Sequence, residues 1–149
     1  MTIYFATDHA GFALKEVLLP YGRDVLGYEV VDCGAYEYSP EDDYPEFIKK
    51  AGETVSKDGE GTRAIILGGS GQGEAMVANK YPHVRATVYY GGARDIITLS
   101  REHNNANVLS LGARFVSEEE AKEVVALWLK TTFSEDERHV RRIAQIDIA

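Results

Sequence analysis

Cysteine is nearly missing from this chain: Cys33 stands alone among 149 residues. No disulfide can close within it, and no cysteine-rich metal site can form. The four histidines show no His-x-x-x-His or related spacing, so no metal and no other cofactor is expected. Long apolar runs are also lacking; none approaches the ~18 residues a membrane helix needs. Positive charge is scarce. Sixteen Lys and Arg face 24 Asp and Glu, a formal net charge of −8, which argues against nucleic acid as the main partner. Residues 2–7 already read as a strand, leaving no signal-peptide pattern, so the expected compartment is cytoplasmic. No repeat, low-complexity tract or linker divides the sequence. Residues 1–149 are therefore read as one domain, long enough to bury a core.

What the chain does have is glycine, concentrated at one place. The run Ala64-Ile65-Ile66-Leu67 is apolar and β-branched, as in a buried strand. Gly68, Gly69, Gly71 and Gly73 then bracket Ser70, and helix-favouring residues follow from Glu74 to Lys80. Strand, glycine turn and helix together aim backbone N–H groups at an anion. Three familiar motifs nearly fit. A P-loop would need lysine where Glu74 stands, and a carboxylate there repels a triphosphate. The dinucleotide fingerprint needs its third Gly or Ala at the same Glu74. A nucleophile elbow needs glycine where Gln72 stands. Each misfit leaves a turn that cradles a substrate beside a serine and a carboxylate. As a first-turn residue, Glu74 would have its pKa lowered by the helix dipole and raised by burial, and it suits a general base.

The flanking pattern alternates strand and helix. Thr2–Thr7 reads as strand one and ends in Asp8-His9-Ala10-Gly11. Leu14, Val17, Leu18, Tyr21 and Val25 recur at helical spacing, with Pro20 set to kink or interrupt that helix. Tyr28–Cys33 is strand two. Residues 34–43, with the acidic cluster Glu41-Asp42-Asp43, read as a solvated loop. A helix follows over Tyr44–Lys57, with Pro45 in its first turn. Val84–Tyr89 is strand four, a helix runs from near Ala93 to Glu102, and Val108–Leu111 is strand five. Ser117-x-x-Glu120 and Ser134-x-x-Glu137 are capping boxes opening two final helices. The expected fold is α/β: a Rossmann-like five-stranded parallel sheet in the order 2-1-3-4-5, flanked by helices, with a C-terminal helix. Ligands then bind beyond the strand C-termini at the switch point between strands one and three, where Asp8-His9 and Gly69 to Glu74 meet. His103 beside Asn104 suits either a helix C-terminus or a functional role. Arg138 and Arg142, four apart on one helix face, suit either solvent or a phosphate.

Taken in order, Asp8-His9-Ala10-Gly11, Gly69-Ser70-Gly71-x-Gly73 with Ala78-Asn79-Lys80, Arg101 to Asn107, Gly112-Ala113-Arg114 and Arg138-His139-x-x-Arg142 resemble the type B ribose-5-phosphate isomerases. That family includes galactose-6-phosphate isomerase subunits. The resemblance covers nearly the whole chain. It implies a sugar-phosphate substrate, aldose–ketose isomerisation without a metal, and a homodimer or dimer of dimers with shared active sites. Many members carry a cysteine base where this chain has Gly68; the sequence instead looks like the branch whose base is a glutamate after the turn, here Glu74. The resemblance implies that His103 opens the sugar ring and that Asp8 binds sugar hydroxyls. Ser70 and the N–H groups of Gly71, Gln72 and Gly73 would stabilise the enediolate, with Gly69 in the same cradle. His9, Arg114, Arg138 and Arg142 would hold the phosphate, and Asn104 would bond the substrate. Two alternatives stand beside this: an isomerase of allose or galactose 6-phosphate, and a non-catalytic sugar-phosphate-binding module. A flavodoxin-like FMN protein would share the strand order.

Overall fold

The computed structural model describes residues 1–148. Five strands form one parallel sheet: β1 (Thr2–Thr7), β2 (Glu29–Asp32), β3 (Thr62–Gly68), β4 (Ala86–Tyr89) and β5 (Val108–Gly112). Six helices accompany them: α1 (Phe12–Pro20), α2 (Tyr44–Lys57), α3 (Gln72–Ala78), α4 (Asp95–Glu102), α5 (Glu118–Lys130) and α6 (Glu137–Asp147). Among the described residues, no helix is long and apolar enough to cross a membrane.

The sheet order is β2-β1-β3-β5-β4, so the expected 2-1-3-4-5 is corrected at its last two positions. Burial explains the exchange. All five residues of β5 are buried, whereas Ala86, Thr87 and Val88 of β4 are only half-buried. The more apolar strand takes the interior and the other takes the edge. Right-handed crossovers then dictate the layers. The chain moves in opposite directions along the sheet through α1 and α4 than through α2 and α3, so the two pairs cover opposite faces. Side chains of β3 alternate accordingly. Ile65 and Leu67 join Phe5, Leu109, Val124 and Trp128 in one core, while Ala64 and Ile66 join Ile48, Val55 and Val108 in the other.

Two local expectations also change. Pro20 ends α1, and the chain continues through a π-helical turn at Tyr21–Val25. The wider turn rotates the face, leaving Val25 exposed rather than in the core. The second capping box does not form. Glu135 takes a positive φ of 61°, Ser134 Oγ accepts from the Asp136 backbone N–H at 3.3 Å, and α6 begins at Glu137. The first box behaves as expected: Ser117 Oγ accepts from Glu120 N–H at 3.1 Å.

Candidate active site

The glycine turn after β3 sits at the C-terminal end of the sheet, beside the end of β1. Each glycine there yields space to a named neighbour. A Cβ on Gly68 would overlap the carboxylate of Glu74, a side chain that is itself buried. The volume where a side chain at position 68 would start is thus occupied by the acid from the next helix. Burial pushes the Glu74 carboxyl above the usual glutamate range. A hydrogen bond to the backbone opposes this, and the charge of Asp8 adds to it. Gly71 adopts φ 77°, which a side chain rarely tolerates. Its carbonyl accepts a 2.6 Å bond from Ser110 Oγ. Gly73 faces the Tyr44 hydroxyl, and Gly69 lies under the Arg114 guanidinium. The turn after β5 is stitched to this one: Ala113 N–H donates to Gly68 O at 2.8 Å and Arg114 N–H to Gly69 O at 3.1 Å. Ser70 is exposed, and its hydroxyl accepts from Gln72 N–H at 3.3 Å.

At the end of β1, Asp8 is buried and caps the following turn by accepting from Ala10 N–H at 2.9 Å. His9 is held by Asp42 of the loop before α2, whose Oδ1 lies 2.7 Å from Nδ1 and 2.9 Å from the His9 backbone nitrogen. Asp8, His9 and Asp42 form a cluster of ligand-type atoms within 4.8 Å of one another. The 2.7 Å separation is that of a hydrogen bond.

Asp8, His9, Gly69, Ser70, Gly71, Gln72, Gly73, Glu74 and Arg114 therefore gather at one end of the sheet. His103, Asn104, Arg138 and Arg142 do not join them. The helix α4 descends from the C-terminal end of β4 to the N-terminal end of β5, so His103 emerges at the opposite end, a strand length of roughly 15 Å away. The contacts agree: Arg85, just before β4, donates through Nε to Asn104 O at 3.0 Å. There His103 stacks on His139 of α6, with ring centroids 4.2 Å apart and planes 16° from parallel. His139 is buried with no hydrogen-bond partner at Nε2 among the described residues. Burial, then the neighbouring His103 and Arg138, hold its pKa below the usual histidine range. Arg138 and Arg142 are exposed on the same helix. A cavity of about 630 Å³ opens nearby, lined by Asn104, Arg85, Lys80 and Asp147 among others.

The sequence reading overlooked three residues at the glycine-turn end. Ser110 had a signal, being the lone polar side chain in an apolar strand. Asp42 was hidden in a loop that reads as solvated, and Tyr44 passed as an ordinary first residue of a helix.

A buried carboxylate thus faces the glycine turn, and cationic side chains stand at both ends of the sheet. A family model described as Ribose/Galactose Isomerase matches residues 3–146. The chain belongs to this family. Ribose-5-phosphate isomerase B of Mycobacterium tuberculosis is 40% identical over 144 residues, covering 96% of this chain and 86% of the relative. The Escherichia coli ribose-5-phosphate isomerase B is 36% identical over 144 residues, covering 97% and 93%. The crystal structure of Mycoplasma genitalium ribose-5-phosphate isomerase B with bound ribulose-5-phosphate superposes with a TM-score of 0.91 at 35% identity, covering 99% of this chain and 94% of that one. Isomerase-family membership also fits the strand order, because the glycine turn and the end of β1 meet where the winding reverses.

Proposed function

We propose that this chain interconverts ribose 5-phosphate and ribulose 5-phosphate in the cytoplasm, through an enediolate. The observation that carries the reading is the Gly68–Glu74 complementarity: a carboxylate is buried in the glycine turn, in space left open by a missing side chain. Glu74 takes the proton from C2 of the open-chain aldose and returns it to C1 of the enediolate. Burial strengthens it as a base once ionised. Ser70 and the N–H groups of Gly71, Gln72 and Gly73 offer donors to the oxyanion that develops as the proton leaves. Asp8 receives sugar hydroxyls. His9 and Arg114 approach the phosphate from the same end.

Ring opening falls to His103, and Asn104, Arg138 and Arg142 complete the substrate contacts. Since these lie at the far end of the sheet, they are supplied by a second copy, docked so that its His103 end covers the glycine turn. Support comes from the exposed apolar residues Ile96 and Leu99 of α4, which leads into His103 and Asn104, and Val140 of α6, which carries Arg138 and Arg142. A coupled assay comparing ribose 5-phosphate with allose and galactose 6-phosphates tests the substrate. Turnover dominated by ribose 5-phosphate is expected. A clear preference for a six-carbon substrate overturns the assignment, and no turnover of any of the three rejects the isomerase reading.

A further inference from the structure

We infer that Asp42 is a positioning residue that works through His9, fixing the imidazole with Nδ1 committed to Asp42 so that Nε2 faces the substrate phosphate. This rests on the proposed phosphate-binding role of His9. Two donors of His9 converge on one oxygen: the backbone N–H at 2.9 Å and Nδ1 at 2.7 Å both meet Asp42 Oδ1. Backbone and ring are therefore tied to the same atom, which fixes the ring plane as well as its tautomer. On imidazole, the hydrogen bond made by one nitrogen decides what the other can do. With the Nδ1 proton given to Asp42, Nε2 is the nitrogen left to face a ligand. A bond to a phosphate oxygen needs a proton there as well, and the charged imidazolium carries one on each nitrogen.

The surroundings make the assignment specific. Asp8 Oδ2 lies 3.8 Å from the same Nδ1, too far for a hydrogen bond. Asp42 thus relieves Asp8 of the ring and leaves it for the sugar. Tyr38 also packs near the ring, edge-on to His9 with centroids 6.4 Å apart and planes at 85°. The second oxygen, Asp42 Oδ2, is buried without a hydrogen-bond partner among the described residues. A buried carboxylate oxygen left unmatched is costly and calls for an explanation. The two bonds from His9 to Oδ1 are what hold the carboxylate in that place. None of this was visible in the sequence, where Asp42 is one of three consecutive acidic residues.

The test has one arm that needs no turnover. Nitrogen-15 NMR of the His9 ring, at a pH where it is neutral, should show the proton on Nδ1 in the wild type. In Asp42→Ala the proton should move largely to Nε2. Asp42→Asn keeps an acceptor oxygen and should keep the Nδ1–H form. The second arm is kinetic. Asp42→Ala should raise KM for ribose 5-phosphate about tenfold, with kcat within about threefold, and inorganic phosphate should inhibit it correspondingly less. In a His9→Ala background the further change Asp42→Ala should have no effect on KM, because its route of action is gone. A His9 tautomer unchanged in Asp42→Ala, or KM losses that multiply in the double variant, would overturn the proposal. Should Asp42→Ala not fold, Asp42→Asn decides: an Nε2–H tautomer in that folded variant overturns the proposal, and an Nδ1–H tautomer supports it. The tautomer readout stands apart from isomerase activity, so its failure is separable from a failure of the substrate assignment.

Discussion

Position 68 lacks a side chain because position 74 has filled the space. Gly68→Ala would push a methyl group into the Glu74 carboxylate. The helix backbone cannot retreat, since Ala75 N–H is bonded to Gly71 O at 3.2 Å and the turn is clamped to β5. The acid must therefore swing off its position. A misplacement of about 1 Å can cost on the order of 10²-fold in rate, and a loss of that size in kcat, with KM little changed, is the expected outcome in steady-state assays. Glu74→Gln should nearly abolish turnover and solvent-deuterium exchange at C2, while phosphate binding persists. Its effect on stability runs the other way. Burial raises the folded-state pKa of Glu74 above its unfolded value, so the stability tied to this group is fully present below the ordinary glutamate range and is lost as pH rises through the folded pKa. Glutamine escapes that loss. Thermal melts should show Glu74→Gln gaining on wild type as pH climbs through the raised pKa, with no gain below the ordinary glutamate range. An equal difference at all pH values would remove the buried charge as the cause.

Among the elements, the short loop between α4 and β5 carries His103 and Asn104, and buried Arg101 fastens it. Its guanidinium donates to Asn105 Oδ1 at 2.8 Å, Ala106 O at 2.5 Å and Thr131 O at 3.1 Å. It also lies over the Trp128 ring, 5.8 Å from the centroid. Burial, together with Arg63 and Arg85, pulls its pKa down to about 10, yet it remains a cation at neutral pH. Arg101→Lys keeps the charge and loses the planar fork. Leaving buried acceptors unmatched costs roughly 1–3 kcal/mol each. Urea titration should show a loss of about that size, and unchanged stability would mean that a single ammonium can serve all three carbonyl groups. The elements themselves were mostly legible from apolar patterning, because β3 carries the run Ala64–Leu67, β5 is apolar but for Ser110, and Ser117 caps α5 as its spacing foretells. What misled was relative rather than local. The order of β4 and β5 depends on which strand is better covered, and that is decided by packing against both helix layers. Likewise the second capping box failed because a backbone reversal at Glu135 intervened, which no residue spacing reports.

Across the whole molecule, residue motifs and their order in the chain were readable, but not which end of the sheet each one reaches. The strands all point one way, so every connecting helix runs back, and a group at a helix end lies opposite a group at a strand end. Asp8 and Ser70 stand just past strand ends and Glu74 in the first turn of α3 at that same end; His103 stands past the far end of α4. Mixing inactive Glu74→Gln with inactive His103→Ala therefore tests a shared site. After subunit exchange, one site of a mixed dimer collects both lesions and the other neither, so activity should reappear. Continued inactivity, with exchange confirmed by intact mass spectrometry, would place both groups in one chain. The separation of the two groups also makes catalysis a matter of mass action. If a lone chain holds only half of the machinery, then below the dimer dissociation constant the fraction assembled falls in proportion to concentration. The measured rate then falls as the square of protein concentration, and per-molecule activity vanishes on dilution although every chain is folded.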